Sequence, residues 1–300
     1  MVVDAHARDL RAGSPTADGD DRQHLWARIA PDRTLLEIAA DPSEPRLAAL
    51  VGARVGGGFR ARVTERLPDL AEARTLLHAL LDDFPGAALV SGYALQRGGS
   101  ALIPTGGTGG EGFRQHILAS EDMCAGWARS GSILVAFRDH DTVPTPMGPT
   151  APGLEGDDDS LAWHEMALLA NGATRRRRRL DLVPTVAVPS GWAFDSHFRD
   201  SYCDEHGTET VLHEYLVDGW LDRGGRHIGG AHGEARVLPW IECPAAIASA
   251  DRLAGRSLGE LRRQVRTEFV GTSTCTHLND MFRFLADLLP LLEMASGSAV

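Results

Sequence analysis

Residues 210–238 read TVLHEYLVDGWLDRGGRHIGGAHGEARVL. Two runs of alternating apolar and polar residues flank Asp222-Arg223-Gly224-Gly225, and a glycine pair between such runs signals a hairpin. The spacing predicts strands over 210–222 and 226–238, paired antiparallel. Upstream, 180–188, interrupted by Pro184, and 192–202 read as two more strands. Downstream, 244–254, 257–267 and 276–294 read as helices. In the last of these Leu278, Met281, Phe282, Leu285, Leu288, Leu289 and Leu292 fall at inward spacings. An antiparallel sheet followed by helices packed on one face is an α+β design.

The N-terminal part is built from similar pieces. Residues 25–40 predict a hairpin turning near Pro31-Asp32. Residues 47–55 predict a short helix ended by Gly56-Gly57-Gly58, and 59–67 fit either a helix or a strand. Over 70–84 the apolar residues follow helical spacing, with Pro85-Gly86 as the stop and His78 on the polar side. Residues 97–112 are glycine-rich and read as a flexible loop. They lack the Gly-Lys-Ser/Thr ending of a phosphate loop and any dinucleotide fingerprint. Residues 113–129 look helical, 133–137 a strand, 144–159 a mobile linker or lid, and 161–169 a short helix carrying His164 and Glu165. An internal echo links RLAALVG (46–52) and LHALLDDFP (77–85) to RLAGRSLG (252–259) and FRFLADLLP (282–290). It predicts two related β-hairpin-plus-helices halves. The organisation expected is a disordered lead over 1–24, a half without ligands over 25–96, a loop-rich connector over 97–174 and a metal-site domain over 175–295.

The chain has 300 residues and a net charge of −11, a balance that argues against nucleic acid as the main partner. No apolar run approaches the ~20 residues of a membrane span. The polar first 24 residues lack a signal-peptide core, so the expected location is the cytoplasm. Five arginines, Arg175 to Arg179, stand against the acidic background. They read either as a solvated strand edge or as an anchor for an acidic substrate. The expected partner is a small-molecule substrate, and a homo-oligomeric state is left open.

Four cysteines in a chain of this size do not suggest a disulfide framework. Cys124 and Cys203 have no nearby partner pattern and read as structural or incidental thiols. Cys243 precedes a proline, and Cys275 directly precedes a helical pattern in TCTHLND (274–280). Free N–H groups and the dipole at such helix starts favour a thiolate, the form that binds metal. His277 stands two residues beyond Cys275. His213 lies on the otherwise apolar face of the 210–222 strand. Two sulfurs and two imidazoles would suit tetrahedral zinc. The expected metal ligands are therefore His213, Cys243, Cys275 and His277, with iron or an iron–sulfur cluster as the alternative cofactor. Glu214, Asp200 and His197 are the expected proton-handling residues. His227 and His232 fall in a glycine-rich hairpin facing solvent. No Gly-x-Ser-x-Gly elbow is present, which weighs against a serine hydrolase.

From Leu212-His213-Glu214-Tyr215 through Pro239-Trp240-Ile241-Glu242-Cys243-Pro244 to Cys275-Thr276-His277-Leu278, the chain resembles an uncharacterised bacterial family. That family reads H-D-x-W, P-Y-x-x-C-P and G-C-T-H-L. Here Glu214, Trp240 and Thr274 replace its Asp, Tyr and Gly, and the resemblance spans about residues 175–293. More distantly, Cys243-Pro-Ala-Ala-Ile-Ala-Ser249, Gly255-Arg-Ser-Leu-Gly-Glu-Leu261 and Cys275 are similar to iron–sulfur scaffold proteins of the NifU type. That similarity implies a small sheet with helices on one side and assigns Cys243 and Cys275 to scaffold ligand positions. It supplies no counterpart of the scaffold's third cysteine. The expected function is a metal-dependent enzyme, with zinc as Lewis acid on a small organic substrate in a lyase, isomerase or hydrolase step. The alternatives are a metal or iron–sulfur carrier, or a metal-free enzyme with Cys275 as nucleophile and His277 as base.

Overall fold

The alternation of β-forming residues is realised as two antiparallel sheets. The computed structural model describes residues 1–11, 21–97, 111–154 and 161–297. The chain divides into two units, Met1–Leu89 with Glu293–Val300, and Val90–Leu292.

In the first unit β1 (Val2–Arg8), β2 (Arg22–Ile29) and β3 (Leu35–Asp41) form a meander in that order. The 1–24 stretch expected to be a disordered lead thus supplies an edge strand. Its apolar residues are few, but Val3 and Ala5 alternate onto the core while Asp4 and His6 face away. Residues 12–20 of that stretch lie outside the described residues. A 3₁₀ turn over Pro45–Leu50 and helices α1 (Phe59–Arg66), α2 (Pro68–Ala73) and α3 (Leu76–Arg97) follow. Leu25, Leu35, Leu47, Phe59, Val63 and Phe84 are among the buried residues of this core. The single helix expected over 70–84 is two, because Arg74 adopts the left-handed conformation (φ 50°) and ends α2. That break resets the helical phase, and His78, expected on a polar face, is 5% exposed. Pro85 does not stop α3, which runs through it with Phe84 and Ala88 buried on either side.

The second unit takes in the last residues of α3, followed by α4 (Glu111–Leu118), a 3₁₀ turn over Ala125–Trp127 and α5 (Ser132–His140). Residues 133–137, expected as a strand, form the middle of α5. A short aliphatic run does not distinguish strand from helix, and Ile133, Leu134 and Phe137 sit on one buried helical side. The helix expected over 161–169 is absent. Of the two expected covering loops, residues 98–110 and 155–160 lie outside the described residues. The intervening 149–151 segment is anchored to strand backbone, with Val211 N donating to Pro149 O at 2.9 Å and Ala151 N to Glu209 O at 2.8 Å.

β4 (Thr174–Pro184), β5 (Trp192–Cys203), β6 (Glu209–Leu221) and β7 (Ile228–Val237) form a four-stranded antiparallel meander in that order. The arginine run lies inside β4, and Pro184 closes the strand rather than interrupting it. Helical segments cover one face: a 3₁₀ helix over Cys243–Leu253, then α6 (Leu261–Glu268), α7 (Thr276–Phe284) and α8 (Leu288–Ser296). Phe194, Phe198, Tyr215 and Val217 from the sheet meet Leu261, Val265, Leu278 and Phe282 in this core. The long helix expected over 276–294 is split by a 3₁₀ turn at Leu285–Asp287. Pro290, without an N–H, cannot extend the α-helical bonding across that point. Both units are α+β; each has a meander followed by helices, and in the second unit α4 and α5 precede the meander. No helix among the described residues is long and apolar enough to cross a membrane.

Gly219 shows how tightly the second sheet is packed. A Cβ there would lie 2.3 Å from the Gly230 carbonyl oxygen and 2.5 Å from Phe194 Cζ. Gly219→Ala is expected to destabilise the protein by about 1–3 kcal/mol through overpacking, read as a lower urea midpoint at unchanged slope.

Candidate functional site

Strand alternation sorts the polar residues of the second sheet onto two faces. β5 pairs with β6 in the register Asp200 with His213, Arg199 with Glu214 and Phe198 with Tyr215. Phe198, Asp200, His213 and Tyr215 therefore face the helices. His197, Arg199 and Glu214 face the other way. β4 extends the same division, pairing Arg177 with Arg199 and Arg179 with His197. Arg176 and Arg178 point inward, where both guanidiniums lie over the Phe198 ring at 5.0 and 5.2 Å. The arginine run is thus neither a plain solvated edge nor a single anchor.

On the outer face lies a cavity of about 730 Å³. Its floor carries Arg179, His197, Arg199, Glu214, Leu216 and Arg236, and Pro149, Thr150, Pro152, Gly153 and Leu154 with Trp163 form part of its wall. Glu214 is the hub. Its Oε1 meets His197 Nε2 at 3.1 Å and its Oε2 accepts from Arg199 Nε at 2.8 Å. Arg236 Nη1 is 3.8 Å from Oε1. Burial alone would raise the Glu214 pKa, but the bonds from His197 and Arg199 outweigh it and hold the carboxyl at about 2. Arg199 also donates to the Pro152 carbonyl at 2.6 Å, tying the wall to the floor. The Trp163 and His197 rings meet edge to face at 5.4 Å.

On the inner face Asp200, His213 and His277 converge, all buried, each offering an atom within 4.8 Å of the others. β5 and β6 supply the first two, and α7 supplies His277 from its first turn. The two imidazoles stack at 3.7 Å between centroids. Asp200 receives a two-pronged contact from Arg176, Nε to Oδ1 at 2.8 Å and Nη2 to Oδ2 at 2.9 Å. Arg176 also reaches Asp280 Oδ2 at 3.3 Å. Burial pushes the His277 pKa down to about 3, with Arg176 adding to the effect. Burial and the neighbouring His277 hold His213 well below the usual histidine range.

The cysteines gather beside this centre. Cys275 is the N-cap of α7, and its Sγ is 3.9 Å from His277 Nδ1. Cys243 is the first residue of its 3₁₀ helix, with Glu242 as the cap. Glu242 in turn accepts from Ser132 N at 2.6 Å at the start of α5. The thiolate expected at these helix starts is not favoured. Burial pushes the Cys243 thiol up to about 12, with the Cys275 and Cys124 thiols adding to it. Burial and Cys124 push Cys275 up to about 11, although N–H groups of Leu278 and His277 point at its sulfur. Desolvation outweighs the helix dipole here.

Cys124 belongs to the same neighbourhood, although its sequence setting gave no sign of a partner. Its turn is bonded to that of Cys275 through Ala125 N to Thr274 O at 2.9 Å. Its sulfur accepts from N–H groups of Trp127, Gly126 and Thr276. A Cβ on Gly126 would lie 2.9 Å from Cys243 Sγ, so the turn closes on Cys243 only with glycine there. The one clue available was Cys124-Ala-Gly-Trp127, a cysteine leading into small residues. Sequence reasoning also missed Arg199, Arg236 and Trp163, and it singled out Arg176 only as one of the five arginines of the 175–179 run.

The seven residues expected to form one constellation are therefore divided. Glu214 and His197 share the cavity, whereas Asp200, His213, His277, Cys243 and Cys275 lie on the helix side of the sheet. A metal held by His213 and His277 would be separated by the strands from a substrate touching Glu214. Exposed His227 and His232 join neither group.

Residues 174–289 match the family model described as "Protein of unknown function (DUF2889)". The matched stretch opens at the first residue of β4 and carries both faces of the sheet with α6 and α7. No curated protein and no solved structure matches the chain.

Glu214 ties the cavity to acid stability. Its folded pKa of about 2 lies below the ordinary 4.5. Its stabilising contribution is therefore complete above the unfolded value and is lost as pH falls through the folded one. Glu214→Gln is expected to cost up to about 3 kcal/mol at neutral pH and to flatten the fall in stability between those two pKa values. Chemical unfolding at a series of pH values checks both. The buried thiols yield a second expectation: no cysteine of the native protein is alkylated quickly by iodoacetamide at pH 8, and all four react after unfolding.

Proposed function

We propose that the second unit is an enzyme that binds a small carboxylate-bearing organic molecule in the outer-face cavity. His197, oriented by Glu214, would move a proton on it in a lyase, isomerase or hydrolase step. The observation that carries this reading is the buried His197–Glu214–Arg199 group on the floor of an open cavity of about 730 Å³. A carboxylate fixed below the histidine sets the ring's orientation and tautomer, which suits a group that both accepts and donates a proton. Arg236 and Arg179 supply positive charge at the cavity surface for the acid group. Trp163, Leu154, Leu216 and Val237 supply apolar surface for the rest of the molecule. Arg179 is engaged with Asp195 at 3.2 Å and Asp181 at 3.0 Å, and Arg236 with Glu234 at 3.2 Å; Arg236, at 49% exposure against 26%, is the arginine better placed to turn to a ligand.

Calorimetric titration of the full chain with benzoate, hexanoate and inorganic phosphate tests the substrate class. Carboxylate binding that weakens at least about tenfold in Arg236→Ala is expected, from the loss of one charge-assisted contact. Phosphate alone binding, or no anion binding at all, would count against the class. Once a substrate is found, His197→Gln is expected to lower kcat by about 10²- to 10⁴-fold with little change in KM. An effect on KM alone would reduce His197 to a binding residue.

A second reading has its own support. Cys124 joins Cys243 and Cys275, each with backbone N–H groups near its sulfur, and such donors stabilise thiolates bound to iron–sulfur clusters. On this reading the protein is a metal or iron–sulfur carrier, and Cys124 takes the place of the third ligand that the NifU-type scaffolds have. Anaerobic reconstitution with iron and sulfide would then give a brown protein that loses its colour in Cys124→Ala. The metal-free alternative, with Cys275 as nucleophile, is disfavoured by the raised thiol pKa. Free thiols throughout fit a reducing compartment such as the cytoplasm.

A further inference from the structure

We infer that Asp200, His213 and His277 form a binding site for one divalent transition-metal ion on the helix side of the sheet, with Arg176 positioning the carboxylate. This site is independent of the cavity on the other face, and its ligand set differs from the two-sulfur, two-imidazole set that the sequence suggests.

Four observations carry it. One atom from each of the three residues lies within 4.8 Å of the other two, and turning the stacked His213 and His277 rings apart would aim both in-plane lone pairs at an ion with ligand distances of about 2.0–2.2 Å. All three residues are buried, at 0%, 2% and 8% exposure, so the donors are already withdrawn from water. His277 Nε2 has no hydrogen-bond partner among the described residues although it is buried. Its other nitrogen, Nδ1, faces Thr276 Oγ1 at 3.5 Å and Cys275 Sγ at 3.9 Å. A buried imidazole nitrogen left unpaired is destabilising, and a metal ion would take up that lone pair. Finally, Asp200 is held as metal-bound carboxylates commonly are, by a hydrogen-bonded neighbour that fixes its orientation. Arg176 uses one lone pair on each oxygen and leaves the others for a metal.

The charges permit an ion. Arg176 sits between two carboxylates, Asp200 and Asp280. Arg178 donates to the Asp280 backbone carbonyl at 2.9 Å and adds one positive charge on that side. The arginines and carboxylates therefore cancel, and the two imidazoles add nitrogen donors. Two imidazoles and one carboxylate suit zinc or ferrous iron rather than calcium or magnesium, which prefer all-oxygen shells. The ion would join β5, β6 and the first turn of α7 at one point, fastening the helix to the sheet beside the cysteines.

Cobalt and zinc binding by the full-length chain after chelator treatment tests the inference. The expected result is one zinc per chain, a raised Tm, and a cobalt form with visible ligand-field bands but no near-ultraviolet sulfur-to-cobalt band. His277→Gln is expected to abolish the stoichiometric binding, and Cys243→Ala to leave it intact. A sulfur-to-cobalt band would move the ion to the cysteines and overturn the proposal. So would the absence of stoichiometric binding by the folded wild-type chain, or retention of that binding in folded His277→Gln. The wild-type cobalt spectrum decides the ligand type even if His277→Gln does not fold.

Discussion

The pairing of β5 with β6 is the constraint on which the second unit depends. Consecutive residues of a strand point to opposite faces. Arg199 opposite Glu214 and Asp200 opposite His213 therefore separate two polar groups by the thickness of one sheet. Register makes this division strict, since a slip of one residue would exchange the faces. The bulge after Asp200, where Ser201 faces Val211, changes the phase beyond the polar rows. Val211 then turns to the cavity, and the 149–151 segment completes the pairing of the β6 end that β7 does not reach.

Each face meets the cost of its buried charge differently. On the outer face Glu214 is compensated by Arg199 and His197, and the remaining arginines stand at the cavity surface. On the inner face the Arg176–Asp200 pair is withdrawn from water, where removing one partner would leave an uncompensated buried charge. Two imidazoles, kept neutral by burial, complete that group. The same desolvation that depresses the histidines raises the thiols of Cys243 and Cys275. Metal binding would reverse the cost for either set, because a cation stabilises the deprotonated donor.

Much of this was legible in residue order. The hairpin around Asp222-Gly225, the strands on either side of it and the helices before and after Cys275 follow from period and turn chemistry. His213, Glu214, Cys243, Cys275 and His277 stand out because their residue types are unusual for the positions they hold. The illegible parts have physical causes. Five consecutive arginines look like a solvated edge until strand pairing divides them between two sides. Cys124 looks isolated because its neighbours lie more than a hundred residues away in the chain. Val2–Arg8 looks like a tail because an edge strand needs only a few apolar side chains.

The sequence by itself determined the α+β class, the order of strands and helices in the second half, and which polar side chains stand out from their surroundings. Only the tertiary structure decided which of those side chains meet. Local pattern reports the period of a segment and hence its faces, whereas proximity depends on register between strands and on the packing of α7 against them. That packing brings His277 onto His213 at 3.7 Å, while the pleat of a single strand keeps Glu214, its immediate neighbour in sequence, on the far side.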